Sequence, residues 1–263
     1  MNRRSFLATT AVAAAGIAAP NVARAAGSKT FVLVHGAWHG GWCWGQVANA
    51  LRKRGHTVVT PTQTGLGERS HLLSKSITID TFVTDVVNVL KFEDLKDVIL
   101  VGHSFGGPPI TGAADRVPER IKQLVYLDAA MLQNGQSVFS LLPPELIAAR
   151  KKSAEETSGG LSIPPPPAAS FGISDPAQQA WLTARLTPHP LGTYDSPLVL
   201  KNKFANELPT VYISCTEPAY APLNASKKWA TENGIKMVEL KTGHDAMVTV
   251  PDKLADMLDA DSV

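Results

Sequence analysis

Continuous apolar runs alternate with amphipathic stretches along most of the chain. Thr30–His35 (TFVLVH) shows no polar–apolar alternation, which predicts a strand covered on both faces. Similar runs recur at Thr57–Thr60, Asp97–Gly102, Ile121–Leu127, Thr210–Ser214 and Lys236–Leu240. Between them, Trp42–Arg54, Thr78–Phe92, Gly106–Arg116, Ser226–Asn233 and Pro251–Leu258 carry helical patterning. Gly55 and Gly234 stand where helices stop, and Pro251 occupies a favoured first helical position. This alternation predicts a doubly wound α/β fold, with about six mainly parallel strands, right-handed crossovers and helices on both faces.

One stretch breaks the pattern. From Met131 to about Ala205 strand signals stop, and the segment holds Pro143-Pro144, a polar helix near Glu145–Thr157, Ser158-Gly159-Gly160 and the prolines 164–167. A second helix-like piece, Pro176–Leu186, precedes Thr187-Pro188-His189-Pro190. About 75 residues without sheet character is too long for a plain loop. Trp181, Leu182, Leu186 and Phe204 supply apolar surface to pack, so residues 131–205 are expected to form a helical cap inserted between two halves of the core, 26–130 and 206–263.

Composition narrows the class further. With 263 residues, 44% hydrophobic and 18% charged, the chain is neither fibrous nor disordered. Residues 1–25 read as an export signal: Arg3-Arg4-Ser5-Phe6-Leu7 is a twin-arginine pattern, Ala8–Ala19 is weakly apolar, and Ala23-Arg24-Ala25 offers small residues for cleavage. The apolar run is too short to span a bilayer, which needs ~20 residues. A periplasmic or secreted protein without stable membrane anchoring is expected. Without Arg3, Arg4 and Arg24, 22 basic residues face 23 acidic ones, so no basic excess remains for binding nucleic acid. The two cysteines, Cys43 and Cys215, make neither a disulfide framework nor a metal spacing. Two buried free thiols are expected, although an oxidising compartment would permit a bridge.

Gly102-His103-Ser104-Phe105-Gly106 fits G-x-S-x-G, a short pattern that gains weight from its context. A strand-like run ends just before it and a helical one begins just after, the arrangement a nucleophile elbow requires. Ser104 would project from the sheet edge at a helix N-terminus, whose positive end favours developing negative charge. His35-Gly36-Ala37-Trp38-His39-Gly40-Gly41 follows the first strand. The N–H groups of Ala37 and Phe105 are the candidate oxyanion hole. Neither Gly-rich turn carries the lysine of a phosphate-binding loop.

At these residues the sequence resembles the α/β-hydrolase superfamily, and within it the branch of plant methylesterases, hydroxynitrile lyases and related bacterial esterases. The matching stretches are FVLVHGAWHGGWCW (Phe31–Trp44), VGHSFGG (Val101–Gly107) and GHDAMVTVPDKLADML (Gly243–Leu258). GLGERSH (Gly65–His71) and LTPHPL (Leu186–Leu191) are similar to a bacterial subgroup that includes enzymes hydrolysing esters and carbamates of xenobiotics. The resemblance implies an α/β-hydrolase fold with an inserted cap, no metal or organic cofactor, and His244 as general base. His244 also follows the last strand-like run and falls after the serine, as the order Ser–acid–His in this fold demands; His189 is its rival.

The acid departs from the pattern. Methylesterases and lyases of this branch usually carry Asp just after the strand matching Thr210–Ser214, where this chain has Pro218. Without an acid the imidazole would sit in the wrong tautomer. Asp128 ends the strand beside the nucleophile's, in Tyr126-Leu127-Asp128-Ala129, a position from which certain haloalkane dehalogenases take their acid. Glu217 is the competitor, one residue from the usual place and therefore expected to face the other way.

The expected chemistry is two-step acyl transfer on a small apolar or aromatic carboxylic ester, with Trp38 and the cap forming the substrate pocket. Carbamate or amide hydrolysis uses the same groups and is the alternative. Hydroxynitrile lyases place Thr and Lys where this chain has Gly36 and Asp245, and dehalogenases and epoxide hydrolases need an Asp nucleophile. A non-catalytic ligand-binding protein on the same fold is the reading from another class. The oligomeric state is not legible.

Overall fold

Phe31, Val32, Leu33 and Val34 are all buried, as a strand flanked on both faces requires. In the computed structural model, which describes residues 27–260, they belong to β1 (Thr30–Val34). The chain continues through α1 (Gly45–Lys53), β2 (Thr57–Val59), α2 (Ile79–Phe92), β3 (Val98–His103), α3 (Gly107–Arg116) and β4 (Ile121–Leu127). After an intervening segment come β7 (Thr210–Cys215), α7 (Asn224–Glu232), β8 (Lys236–Leu240), α8 (Ala246–Thr249) and α9 (Pro251–Asp259). The intervening elements are α4 (Pro144–Ser158), β5 (Ser162–Ile163), α5 (Pro176–Thr183), β6 (His189–Pro190) and α6 (Leu191–Asp195). The expected export signal lies outside the described residues.

The six-stranded sheet runs β2-β1-β3-β4-β7-β8, with every pair parallel. β2 lies to one side of β1 and β3 to the other, so the chain reverses its direction of travel there. Right-handed crossovers then put α1 and α9 on one face, where they pack together, and α2 and α3 on the other. The reversal opens a crevice at the strands' carboxyl ends, where ligands bind in open α/β sheets. β1 leads into the Gly36–Gly41 loop and β3 into Ser104, so the residues singled out in the sequence flank that crevice.

The segment between β4 and β7 differs from expectation in one respect. It contains a small antiparallel pair, Ser162 against Pro190 and Ile163 against His189, where no strand was expected. Two-residue strands are too short to show a period. This pair grips the loop after β1: Trp38 Nε1 donates to the Ile163 carbonyl at 3.0 Å, and the Trp38 N–H donates to His189 Nδ1 at 3.2 Å. Cys43 and Cys215 are buried free thiols. Among the described residues, no helix is long and apolar enough to cross a membrane.

Candidate active site

Ser104 adopts φ 52°, in the left-handed region that an L-residue enters at a cost. The glycines around it are required by close approach rather than by their own dihedrals. A Cβ on Gly102 would fall 2.6 Å from the Gly106 carbonyl oxygen, and one on Gly106 would fall 2.7 Å from that of Val34. Strand and helix can therefore pack tightly enough to hold the turn, which the Ala130 N–H clasps by donating to the Ser104 carbonyl at 2.9 Å. Trp38 (φ 65°) and Asp128 (φ 40°) share the strained conformation, each just past the end of a central strand. Three such residues around one crevice point to a functional site.

A continuous hydrogen-bond chain crosses this crevice. Asp128 Oδ2 lies 2.6 Å from His244 Nδ1, and His244 Nε2 lies 2.8 Å from Ser104 Oγ. The carboxylate fixes the proton on Nδ1, leaving Nε2 free to accept from the serine hydroxyl. β4 pairs with β3 so that Leu127 faces His103, which brings Asp128 alongside Ser104. Glu217 is not part of this chain; its side chain is exposed and lies 3.7 Å from Lys241. His189, the rival imidazole, is engaged elsewhere, by the Trp38 N–H and by Thr193 Oγ1 at 2.8 Å.

Two further groups complete the chain, and neither was singled out in the sequence. Lys227 Nζ sits 2.7 Å from Asp128 Oδ1 and also donates to the Cys215 carbonyl at 3.1 Å. Burial works against the charge on Asp128, but contact with His244 and then the Lys227 ammonium outweigh it and hold the carboxyl below its usual range. Tyr220 stacks on His244, with ring centroids 4.0 Å apart and planes 17° from parallel. Its face covers the imidazole, a position from which it would favour an imidazolium.

The Lys227 ammonium helps hold the Asp128 carboxyl below its usual range, so removing it in Lys227→Met is expected to raise that carboxyl's pKa. A carbon-13 NMR titration of the carboxyl carbon checks this; a carboxyl that stays put or moves down contradicts it.

The loop after β1 is fixed by buried histidines. His35 Nδ1 donates to the Gly36 carbonyl at 2.8 Å, anchoring the same peptide unit that carries the Ala37 N–H. Its Nε2 accepts from the Gln63 N–H at 3.0 Å, so the ring is neutral, and burial takes its pKa down to about 3. Among the described residues no acceptor takes the Ala37 N–H. Phe105 lies in the first turn after the elbow, where N–H groups have no intrahelical acceptor. His39 contacts an acceptor at both nitrogens, the Ala37 carbonyl at 2.7 Å and Asp245 Oδ2 at 3.1 Å. Burial opposes its charge, yet Asp245 raises its pKa, so a buried imidazolium–carboxylate pair braces the loop. His103 points away from the crevice and donates from Nε2 to the His244 carbonyl at 3.0 Å. Burial lowers its pKa to about 3. His103, His244 and Asp245 bring potential ligand atoms within 4.8 Å of one another; both nitrogens of His244 are engaged in the bonds just described, whereas Asp245 Oδ1 lies 3.7 Å from His103 Nε2 and takes no hydrogen bond among the described residues.

Ser104 opens into a narrow cavity. Trp38, Ala130, Pro222 and Leu223 line it from the core, and Val138, Leu141, Leu142, Arg150 and Tyr194 line it from the intervening segment. The walls are largely apolar and aromatic, suited to a small organic ligand.

A strained serine at the switch point of a parallel sheet, hydrogen-bonded to an imidazole that is in turn bonded to a carboxylate, is the arrangement of an α/β-hydrolase. Residues 31–257 match the model of the alpha/beta hydrolase family, and the chain belongs to that family. It is 41% identical over 238 residues to a carbendazim-hydrolysing esterase of Nocardioides sp., a match covering 88% of this chain and 98% of that protein. An extracellular α/β-hydrolase from a Paenibacillus species superposes with a TM-score of 0.76 at 30% identity, covering 88% of this chain and 97% of its own. The methylesterase MES16 from Arabidopsis superposes at 0.64 with 25% identity, covering 88% of this chain and 97% of its own.

Proposed function

We propose that the protein is a carboxylic ester hydrolase acting on small apolar or aromatic esters through Ser104, His244 and Asp128. The observation that carries the proposal is the unbroken chain of 2.6 Å and 2.8 Å contacts from carboxylate to imidazole to hydroxyl. Ser104 Oγ attacks the ester carbonyl while His244 Nε2 takes its proton. The oxyanion is received by the N–H groups of Ala37 and Phe105. His244 then returns the proton to the leaving alcohol and activates water, which cleaves the acyl-enzyme and regenerates the serine. Residues 131–205 serve as a cap whose side chains, with Trp38, set the size of acid or alcohol admitted. No step calls for a metal or organic cofactor.

The twin-arginine pattern at Arg3-Arg4 and the small residues at Ala23 and Ala25 support export from the cytoplasm, in keeping with the extracellular Paenibacillus relative. A turnover screen tests the enzymatic reading, using p-nitrophenyl esters of increasing acyl length, aryl methyl esters and aryl carbamates. Ester turnover and stoichiometric labelling of Ser104 by an organophosphonate are expected. Binding of esters without turnover would turn the reading toward a ligand receptor, and faster carbamate turnover toward a carbamate hydrolase.

A further inference from the structure

The cavity beside Ser104 contains one charged side chain in an otherwise apolar and aromatic lining, Arg150 of α4. Its guanidinium carbon lies 5.6 Å from the centre of the Trp38 ring and 5.0 Å from that of Tyr194. Among the described residues no Asp or Glu pairs with it, although its neighbour Lys151 pairs with Asp195 at 2.8 Å. Arg150 also borders a second, outer groove, which shares Trp38 and Tyr220 with the inner cavity. It therefore stands where a ligand passes from the surface groove toward the serine.

A partly buried guanidinium without a counter-ion has lost hydration that aromatic faces restore only in part. The Trp38 and Tyr194 rings lie against the group and one of its donors engages the Tyr194 side chain, which leaves most of the five N–H donors of a guanidinium for a ligand. Those donors best match a planar anion with two acceptor oxygens. We propose that Arg150 is a substrate-binding residue for a carboxylate, and that the preferred substrates are esters carrying a free carboxylate on an aromatic or apolar body. This builds on the esterase reading: the ester group lies at Ser104 and the carboxylate at Arg150. The guanidinium would also draw negatively charged substrate toward the cavity mouth.

The test uses two methyl esters of matched shape, monomethyl isophthalate and methyl m-toluate, with acid release followed by pH-stat. The wild type is expected to favour the isophthalate in kcat/KM. In Arg150→Leu the isophthalate-to-toluate ratio is expected to fall by roughly 10- to 100-fold, the worth of a charge-assisted hydrogen bond, with Arg150→Lys in between. Raising ionic strength should lower the wild-type ratio. A ratio that Arg150→Leu leaves unmoved, or an equal loss on both esters, overturns the proposal.

Binding is measured separately by calorimetry of monomethyl isophthalate with the Ser104→Ala protein, with and without Arg150→Leu. Affinity that falls by a similar factor supports the carboxylate site even where neither ester is turned over, an outcome that would count against the esterase reading alone. Affinity that does not depend on Arg150 overturns the site, whatever the turnover.

Discussion

Ser104→Ala is expected to lower kcat by about a millionfold on any ester the protein hydrolyses, the loss seen when a nucleophile is removed from a cooperating triad. The substitution deletes one oxygen from a side chain that is partly exposed to the cavity. The elbow remains, because the close contacts of Gly102 and Gly106 and the Ala130 N–H bond to the Ser104 carbonyl are all made without the hydroxyl. Thermal stability should therefore stay near that of the wild type, separating loss of chemistry from loss of fold. The Ala37 and Phe105 N–H groups and the cavity also survive, so a residual rate above the uncatalysed one should persist. Initial rates on a p-nitrophenyl ester, beside a thermal melt, check both parts. A variant within tenfold of the wild type would remove Ser104 from the mechanism.

The sheet and the turn that carries Ser104 were legible because each depends on local sequence. Strands buried on both faces announce themselves as apolar runs, as β1 and β3 do, and β4 and the edge strand β8 span the expected residues. The elbow is set by two glycines and a serine within five positions. Asp128 was legible by another route, as a carboxylate ending an otherwise apolar strand next to the nucleophile's.

What escaped notice depends on tertiary register. Lys227 and Lys228 are adjacent on α7 and look alike in the sequence, yet one pairs with Asp128 while the other reaches Glu232 at the surface. Which of them turns inward follows from how α7 lies across β7, and no local pattern encodes that. Arg150 belongs to a helix that the sequence marked only as polar, and its neighbour Trp38 is more than a hundred residues away. His39 and Asp245 were read as a motif position and a departure from the lyase pattern. Their pairing across 206 residues was invisible until β1 and the loop after β8 were brought together.

The choice of acid gives the second large effect. Asp128→Asn is expected to lose about 10⁴ in kcat, because an amide can no longer hold His244 in the tautomer that accepts from serine or support its cation. Glu217→Gln should stay within roughly threefold, since exposed charge contacts contribute about 1 kcal/mol or less. Stability complicates the first variant. Asp128 is fully buried and Lys227 partly so, and removing the carboxylate leaves the ammonium without its partner, which costs on the order of 1–3 kcal/mol. The double variant Asp128→Asn/Lys227→Met removes the orphaned charge as well. It should regain much of the melting temperature and none of the rate, because the proton relay still lacks its acid. Melting curves and initial rates on all four variants, including Lys227→Met alone, separate the two roles. If the double variant recovered turnover along with stability, the carboxylate would be holding the fold together rather than serving the histidine. A large loss confined to Glu217→Gln would move the acid to β7.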